Sequence, residues 1–218
     1  MSTRSRFAAS IAARKQPRQR RSRQMVDAIL EAALRAFERF GYEDATTRRI
    51  AELAGMSVGS LYQYFRSRDA LLATILERHV AQVLEELELR FRRFEREPLH
   101  VLARQLVAAV VALHARSPRL HAVLAGNEPK MFQDPLLKRL DRAIASMLST
   151  YWARHPELPP FDIERGVFAI NRACIGLLHQ SDERAGPDPQ AERDMVWLVL
   201  GYLACATGLP LTSRPSSG

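Results

Sequence analysis

Two cysteines in 218 residues, Cys174 and Cys205, are too few for a disulfide framework, and neither has a Cys or His partner at zinc-site spacing. Both lie in apolar stretches and read as buried, reduced thiols. Alternating strand patterns are missing along the whole chain, as are internal repeats, so a sheet has nothing to be built from. The start of the chain lacks the apolar core of a secretory signal. No carboxylate pair, metal cluster or phosphate loop stands out, so neither enzymatic turnover nor a metal or other cofactor is expected. One long uncharged run exists, MVWLVLGYLACATGLPL at 195–211. It reaches only the short limit of a membrane span and contains Gly201, Thr207, Gly208 and Pro210. Burial between a domain core and a partner subunit accounts for it with fewer assumptions, so no membrane association is expected.

What is present in excess is positive charge, and its place is informative. The net charge is +8, yet residues 1–23 hold eight basic residues and no acidic one. The remainder is formally neutral. Such a block reads as a disordered arm that attracts polyanions, DNA first among them. A plain mobile tail and an organellar targeting segment are the other readings of the same composition.

Beyond the arm almost everything has helical periodicity. Met25, Ile29, Ala32, Ala33, Ala36, Phe37 and Phe40 recur at three- and four-residue spacing, with Gly41 as a stop. Thr46 or Thr47 can cap a short helix ending at Gly55, Ser57 a second through Phe65, and Ser67 a third running to about Arg96. Further patterns cover 99–116, 118–125, 134–154, 161–182 and 189–207, punctuated by prolines. The expected fold is all-α, with about nine helices. The expected domains are a disordered basic arm (1–23), a three-helix unit with a helix-turn-helix (24–68), a larger helical ligand-binding and dimerisation domain (69–210) and a flexible tail (211–218).

Within this pattern Gly55-Met56-Ser57-Val58-Gly59 fits G-x-S-x-G, the nucleophile elbow of α/β-hydrolases. An elbow needs a strand before the serine, and here Ile50, Leu53 and Ala54 mark a helix instead. The hydrolase reading would make Ser57 a nucleophile; the helical reading makes it a cap. Two short helices joined by a tight turn form a helix-turn-helix, whose second helix enters the major groove. Ile50, Leu53, Met56, Leu61 and Phe65 would hold the pair on the first helix. That leaves Val58, Gly59, Ser60, Tyr62, Gln63 and Tyr64 to face DNA or flank the contact.

The stretch ILEAALRAFERFGYEDATTRRIAELAGMSVGSLYQYFRSRDALLATIL closely resembles the N-terminal domain of TetR-family transcriptional regulators. The likeness covers about residues 25–76 without a gap; the rest of the chain matches in helical character and length. It implies that Thr47 and Arg48 meet phosphate, in keeping with a helix N-terminus and an added positive charge. It also implies that Tyr62 and Tyr64 contact the DNA backbone. Arg68 stands where the family commonly carries lysine, which keeps a charge for phosphate anchoring. Base reading falls to Val58, Ser60 and Gln63, since Gln pairs with adenine and Val can touch a thymine methyl. Gly59 lets the backbone approach.

A single short recognition helix reads too few bases, so a homodimer on palindromic double-stranded DNA is expected. The apolar excess of the last two helices suits a four-helix interface carrying Phe168, Ile175, Leu178, Trp197, Leu200 and Leu203. Helices from about 70 to 155 would enclose a cavity for a small apolar or amphipathic effector. Phe91, Phe94, Met131, Phe132 and Trp152 are its candidate lining, and His114, His121 and Asn171 its polar groups. The function that follows is a ligand-released repressor, cytoplasmic and associated with the nucleoid. A helical ligand-binding protein without DNA binding is the alternative.

Overall fold

Helical periodicity becomes nine helices and no strand among the described residues of a computed structural model, which are 3–125, 135–180 and 189–209. They are α1 (Thr3–Asp44), α2 (Thr47–Leu53), α3 (Val58–Tyr62), α4 (Arg68–Phe94), α5 (Leu99–Ala115), α6 (Pro118–Ala125), α7 (Pro135–Arg154), α8 (Ile163–Gln180) and α9 (Pro189–Thr207). No helix among them is long and apolar enough to cross a membrane. Residues 3–23, where the charge block leads one to expect a disordered arm, are continuous with α1. Their Ala, Arg and Gln content favours helix, although Pro17 removes one amide donor from the run.

The chain divides into two compact units, Met1–Ile75 and Leu76–Gly218. The boundary thus falls two turns into α4 rather than at residue 68, and Leu71 and Ile75 are buried. In the first unit the middle of the expected stripe of α1 is the core: Ile29, Ala32, Ala33, Ala36 and Phe37 are buried, while Phe40 is half-buried and Met25 exposed. Gly41 breaks the helical run with φ 75°, a left-handed geometry that glycine adopts without a Cβ penalty. Then α2 packs on α1 through Ile50 and Ala51, and α3 packs on α2 through Leu61. Full burial of a leucine such as Leu61 is worth roughly 1.5–3 kcal/mol.

In the second unit α9 packs against both α5 and α8, and α8 is flanked by α6 and α7. One buried cluster joins Ala103 and Val107 of α5, Cys174 of α8, and Met195, Val196, Val199 and Leu203 of α9. A second cluster joins Phe91, Leu102 and Tyr151. The Tyr151 hydroxyl donates to the Glu97 carbonyl at 2.8 Å, so its polar end is satisfied inside the core.

Candidate DNA-binding face and ligand cavity

Both short helices of the first unit start on a side-chain cap. Thr46 Oγ1 accepts from the Arg49 amide at 3.3 Å, and Ser57 Oγ accepts from the Ser60 amide at 3.1 Å. Between them Gly55 takes φ 68°, which turns the chain out of α2. Leu61 and Phe65 are buried, so the remaining α3 residues are pushed to the outside. Gly59 and Gln63 are exposed, Val58 and Ser60 half-buried, and Tyr62 and Tyr64 are 50% and 40% exposed. Large aromatic surface left in water beside a glycine is a feature that a folded core alone does not require.

Ser57 is therefore a helix cap, with no strand before it. Its hydroxyl also lies 2.8 Å from Ser60 Oγ, so the side chain expected to read a base is turned back onto the cap in the free chain. Thr47 Oγ1 and the Tyr62 hydroxyl lie 3.1 Å apart, placing side by side two groups from α2 and α3 that are expected to meet the DNA backbone. Arg48 is exposed and pairs with Glu52 at 3.1 Å, one turn along α2. Such a solvent-exposed pair is worth about 0.3–0.5 kcal/mol and yields readily to a phosphate.

Arg68 is used differently from the expectation. Its guanidinium donates to the Tyr42 carbonyl at 2.7 Å and to the Glu43 carbonyl. It also pairs with the Glu43 carboxylate at 3.0 Å and lies over the Tyr42 ring. A cation on the last carbonyls of α1 is favourable, because those acceptors lack helical partners. The side chain fastens α4 to α1 and leaves little of itself for phosphate. Next to it the Tyr42 hydroxyl donates to Asp69. Burial, reinforced by the Asp69 carboxylate, pushes the Tyr42 phenol up to about 12.

The second unit holds a cavity of about 180 Å³. Its wall is almost wholly aliphatic, with contributions from α4 to α9 such as Val83, Val107, Leu140 and Ile144. Of the expected lining, Trp152, His114, His121 and Asn171 are there. Phe91 and Phe94 are not: they belong to the core cluster around Tyr151, further along α4 toward its C-terminal end. Met131 and Phe132 lie outside the described residues. The Asn171 amide donates to Asp141 at 2.6 Å, and Arg172 pairs with the same carboxylate at 2.8 Å. Asn171 is thereby held in place. The indole N–H of Trp152 is spent on the Pro159 carbonyl at 3.0 Å, so that ring offers the cavity only apolar surface.

The expected interface set divides in two. Phe168 and Trp197 point outward, 56% and 41% exposed. Ile175, Leu178 and Leu203 instead line the cavity, and Leu200 packs half-buried on the core of α5, α8 and α9. The reason is that α6 and α7 cover α8, so residues that share a helical stripe meet solvent at one end and a neighbour further along.

One residue escaped the sequence reading. His79 of α4 is buried and joins His114 and His121, the three rings lying with centroids 3.9–5.3 Å apart. A signal existed: Leu76, His79, Val80, Val83 and Leu87 recur at helical spacing, which puts this histidine on α4's apolar face.

A capped pair of short helices on a buried three-helix core, with a polar and aromatic outer face, defines a helix-turn-helix protein carrying a separate cavity-bearing helical unit. The chain belongs to the TetR family of transcriptional regulators. Residues 29–75 match the family described as bacterial regulatory proteins, tetR family, and residues 98–203 match the tetracyclin repressor-like C-terminal domain. The chain is similar to the HTH-type transcriptional regulator RutR of Escherichia coli K12, 31% identical over 151 residues, which span 66% of this chain and 68% of that one. It is also similar to the HTH-type transcriptional repressor Rv1474c of Mycobacterium tuberculosis, 46% identical over 43 residues, or 20% of this chain and 23% of that protein. Among solved structures it resembles SmeT, the repressor of the Stenotrophomonas maltophilia multidrug efflux pump SmeDEF. The TM-score there is 0.62 at 19% identity, over 88% of this chain and 94% of that one, a likeness of fold. The family consists of regulators rather than enzymes, in keeping with Ser57 as a cap.

Proposed function

We propose that this chain binds a palindromic DNA operator as a homodimer and represses transcription until a small apolar or amphipathic effector releases it. The observation that carries the reading is the outer face of α3. Gly59, Tyr62, Gln63 and Tyr64 stand in solvent over a helix anchored by fully buried Leu61. On this reading Val58, Gly59, Ser60 and Gln63 meet base edges, Ser60 after exchanging its bond to Ser57. Thr47, Arg48, Tyr62 and Tyr64 hold the sugar-phosphate backbone on either side. Arg68 acts from behind, by keeping α4 on the end of α1. The protein works where its operator is, in the cytoplasm on the nucleoid.

The cavity supports the effector half of the reading. A pocket of this size with mostly aliphatic walls takes an apolar group of small aromatic or short alkyl dimensions. Any effector that prefers a conformer with misplaced recognition helices lowers DNA affinity, and DNA must then lower effector affinity by the same factor. α4 contributes Leu71 and Ile75 to the first unit and Val80, Val83 and Leu87 to the cavity wall. It is the element through which the two equilibria can be linked.

The test is nuclease footprinting of the purified chain on the DNA upstream of its own coding region, followed by selection from a random duplex library. Protection of an inverted repeat, weakened in a Tyr62→Ala chain that still folds, is the expected result. A folded, dimeric chain that protects no duplex would sink the DNA-binding reading.

A further inference from the structure

The His79, His114 and His121 group is larger than an effector pocket of aliphatic side chains needs. The three come from α4, α5 and α6, all within the second unit. Their ligand atoms lie within 4.8 Å of one another. His114 and His121 are brought together by the tight turn at Arg116-Ser117: the Ser117 amide donates to the His114 carbonyl at 3.0 Å, and Ser117's carbonyl starts α6. Their rings stack at 3.9 Å and 23°, while His79 closes the group edge-on to both. His79 and His121 are buried, and His79, His114 and His121 all border the cavity.

One ring is already oriented. His114 Nδ1 lies 2.8 Å from the Val110 carbonyl, and a carbonyl can only accept, so that nitrogen carries the proton. The lone pair of the neutral ring is then on Nε2. Backbone support of this kind fixes the tautomer and direction of a metal-bound imidazole.

We propose that His79, His114 and His121 form a binding site for a divalent transition metal of the zinc type, with an open coordination position on the apolar cavity. Three imidazole nitrogens plus one exchangeable position is a recurrent zinc arrangement. Zn–N bonds of about 2.0–2.1 Å in tetrahedral geometry need nitrogens roughly 3.4 Å apart. Binding an ion therefore calls for the three nitrogens, now within 4.8 Å of one another, to close up by turning the rings out of their present stack. Hard oxygen-seeking ions such as magnesium or calcium do not suit an all-nitrogen set. The open position gives an effector a place for an anionic donor, such as a carboxylate, with its apolar part among the aliphatic side chains. This last step rests on the reading of the cavity as the effector site, whereas metal binding itself does not.

The test uses the untagged full-length chain stripped with a chelator and titrated with Co(II), a spectroscopic stand-in for zinc. Intense visible bands saturating at one ion per chain, displaced by Zn(II), are expected. His79→Gln, His114→Gln and His121→Gln should each weaken binding by at least about a hundredfold, the upper end of what losing even an outer supporting partner costs. Circular dichroism serves as the folding control. Should the two buried variants fail to fold, His114→Gln and a zinc-dependent rise in the wild-type melting temperature still decide the matter. A folded wild-type chain that gives no bands, or bands that survive all folded variants, would overturn the site. Octanoate supplies the second arm. Binding that needs the metal supports both steps, and metal binding without octanoate binding upholds the ion site while removing the carboxylate effector. Octanoate binding that ignores the chelator, is lost in His121→Gln and occurs without Co(II) bands replaces the metal with a bare imidazole pocket.

Discussion

At Gln63 the fold leaves a bidentate amide in solvent at the end of α3, and the chemistry of that amide matches the adenine edge. Gln63→Ala is expected to relax base preference at one operator position by roughly 1–3 kcal/mol, with little change elsewhere. Competition binding on single-base operator variants measures this, and equal weakening on operator and scrambled DNA would remove Gln63 as a reader. Ser57 lies at the opposite end of the same helix, as its N-cap. Ser57→Ala removes the cap bond to the Ser60 amide and should cost about 1 kcal/mol of stability, read from denaturant melts. Tyr42 supplies a pH signature. Its phenol is raised from 10.0 to about 12 by burial and by Asp69, so the folded state holds that proton more tightly than the unfolded chain does. The resulting stabilisation is complete below pH 10 and is lost as pH rises from 10 toward 12. Tyr151, raised to about 12 mainly by burial, acts in the same direction. The melting temperature should fall between pH 10 and pH 12, and Tyr42→Phe should shrink that fall; an identical fall in both chains would contradict the assignment.

Among the elements, those with local signals were readable from the chain and those that depend on neighbours were not. Thr46, Ser57 and Ser67 mark helix starts by hydroxyls that reach a nearby amide, and Gly41 and Gly55 mark stops by a backbone that a Cβ resists. These are interactions over three or four residues, and the sequence displays them directly. The face of a long helix that is covered by a partner is a different matter. Phe168 and Ile175 lie seven apart on α8, nearly on one line, yet one is exposed and the other buried. Phe91 and Phe94 have the right chemistry for a cavity and were claimed by the core around Tyr151. His79 gains meaning only from two rings on other helices. At the start of the chain the local signal is charge: eight basic residues at 1–23 against no acid. Removing residues 1–20 should weaken binding to all duplexes alike. It should also flatten the plot of log affinity against log salt, by roughly one unit for each phosphate that is no longer neutralised. An unchanged slope would mean that this basic end of α1 touches no DNA.

For the whole molecule the question is what covers Phe168 and Trp197. Two large side chains, each about half exposed, flank the α8 and α9 core that continues into the cavity wall. A monomer has little reason to keep them in water, while a second copy presenting the same pair would bury both around a twofold axis. This is also what a palindromic operator demands, since one α3 reads only a half-site. Arg172 lies over the Phe168 ring at 4.8 Å and is itself held by Asp141, which gives that ring one fixed neighbour. Phe168→Glu combined with Trp197→Glu should leave each chain folded, because neither side chain is part of the buried core. Light scattering after size exclusion should then report monomers where the native chain gives dimers, and the footprint on an inverted repeat should fade to nonspecific protection. Dimers that persist would move the interface to another face, and monomers that still protect the full repeat would break the link between symmetry and recognition.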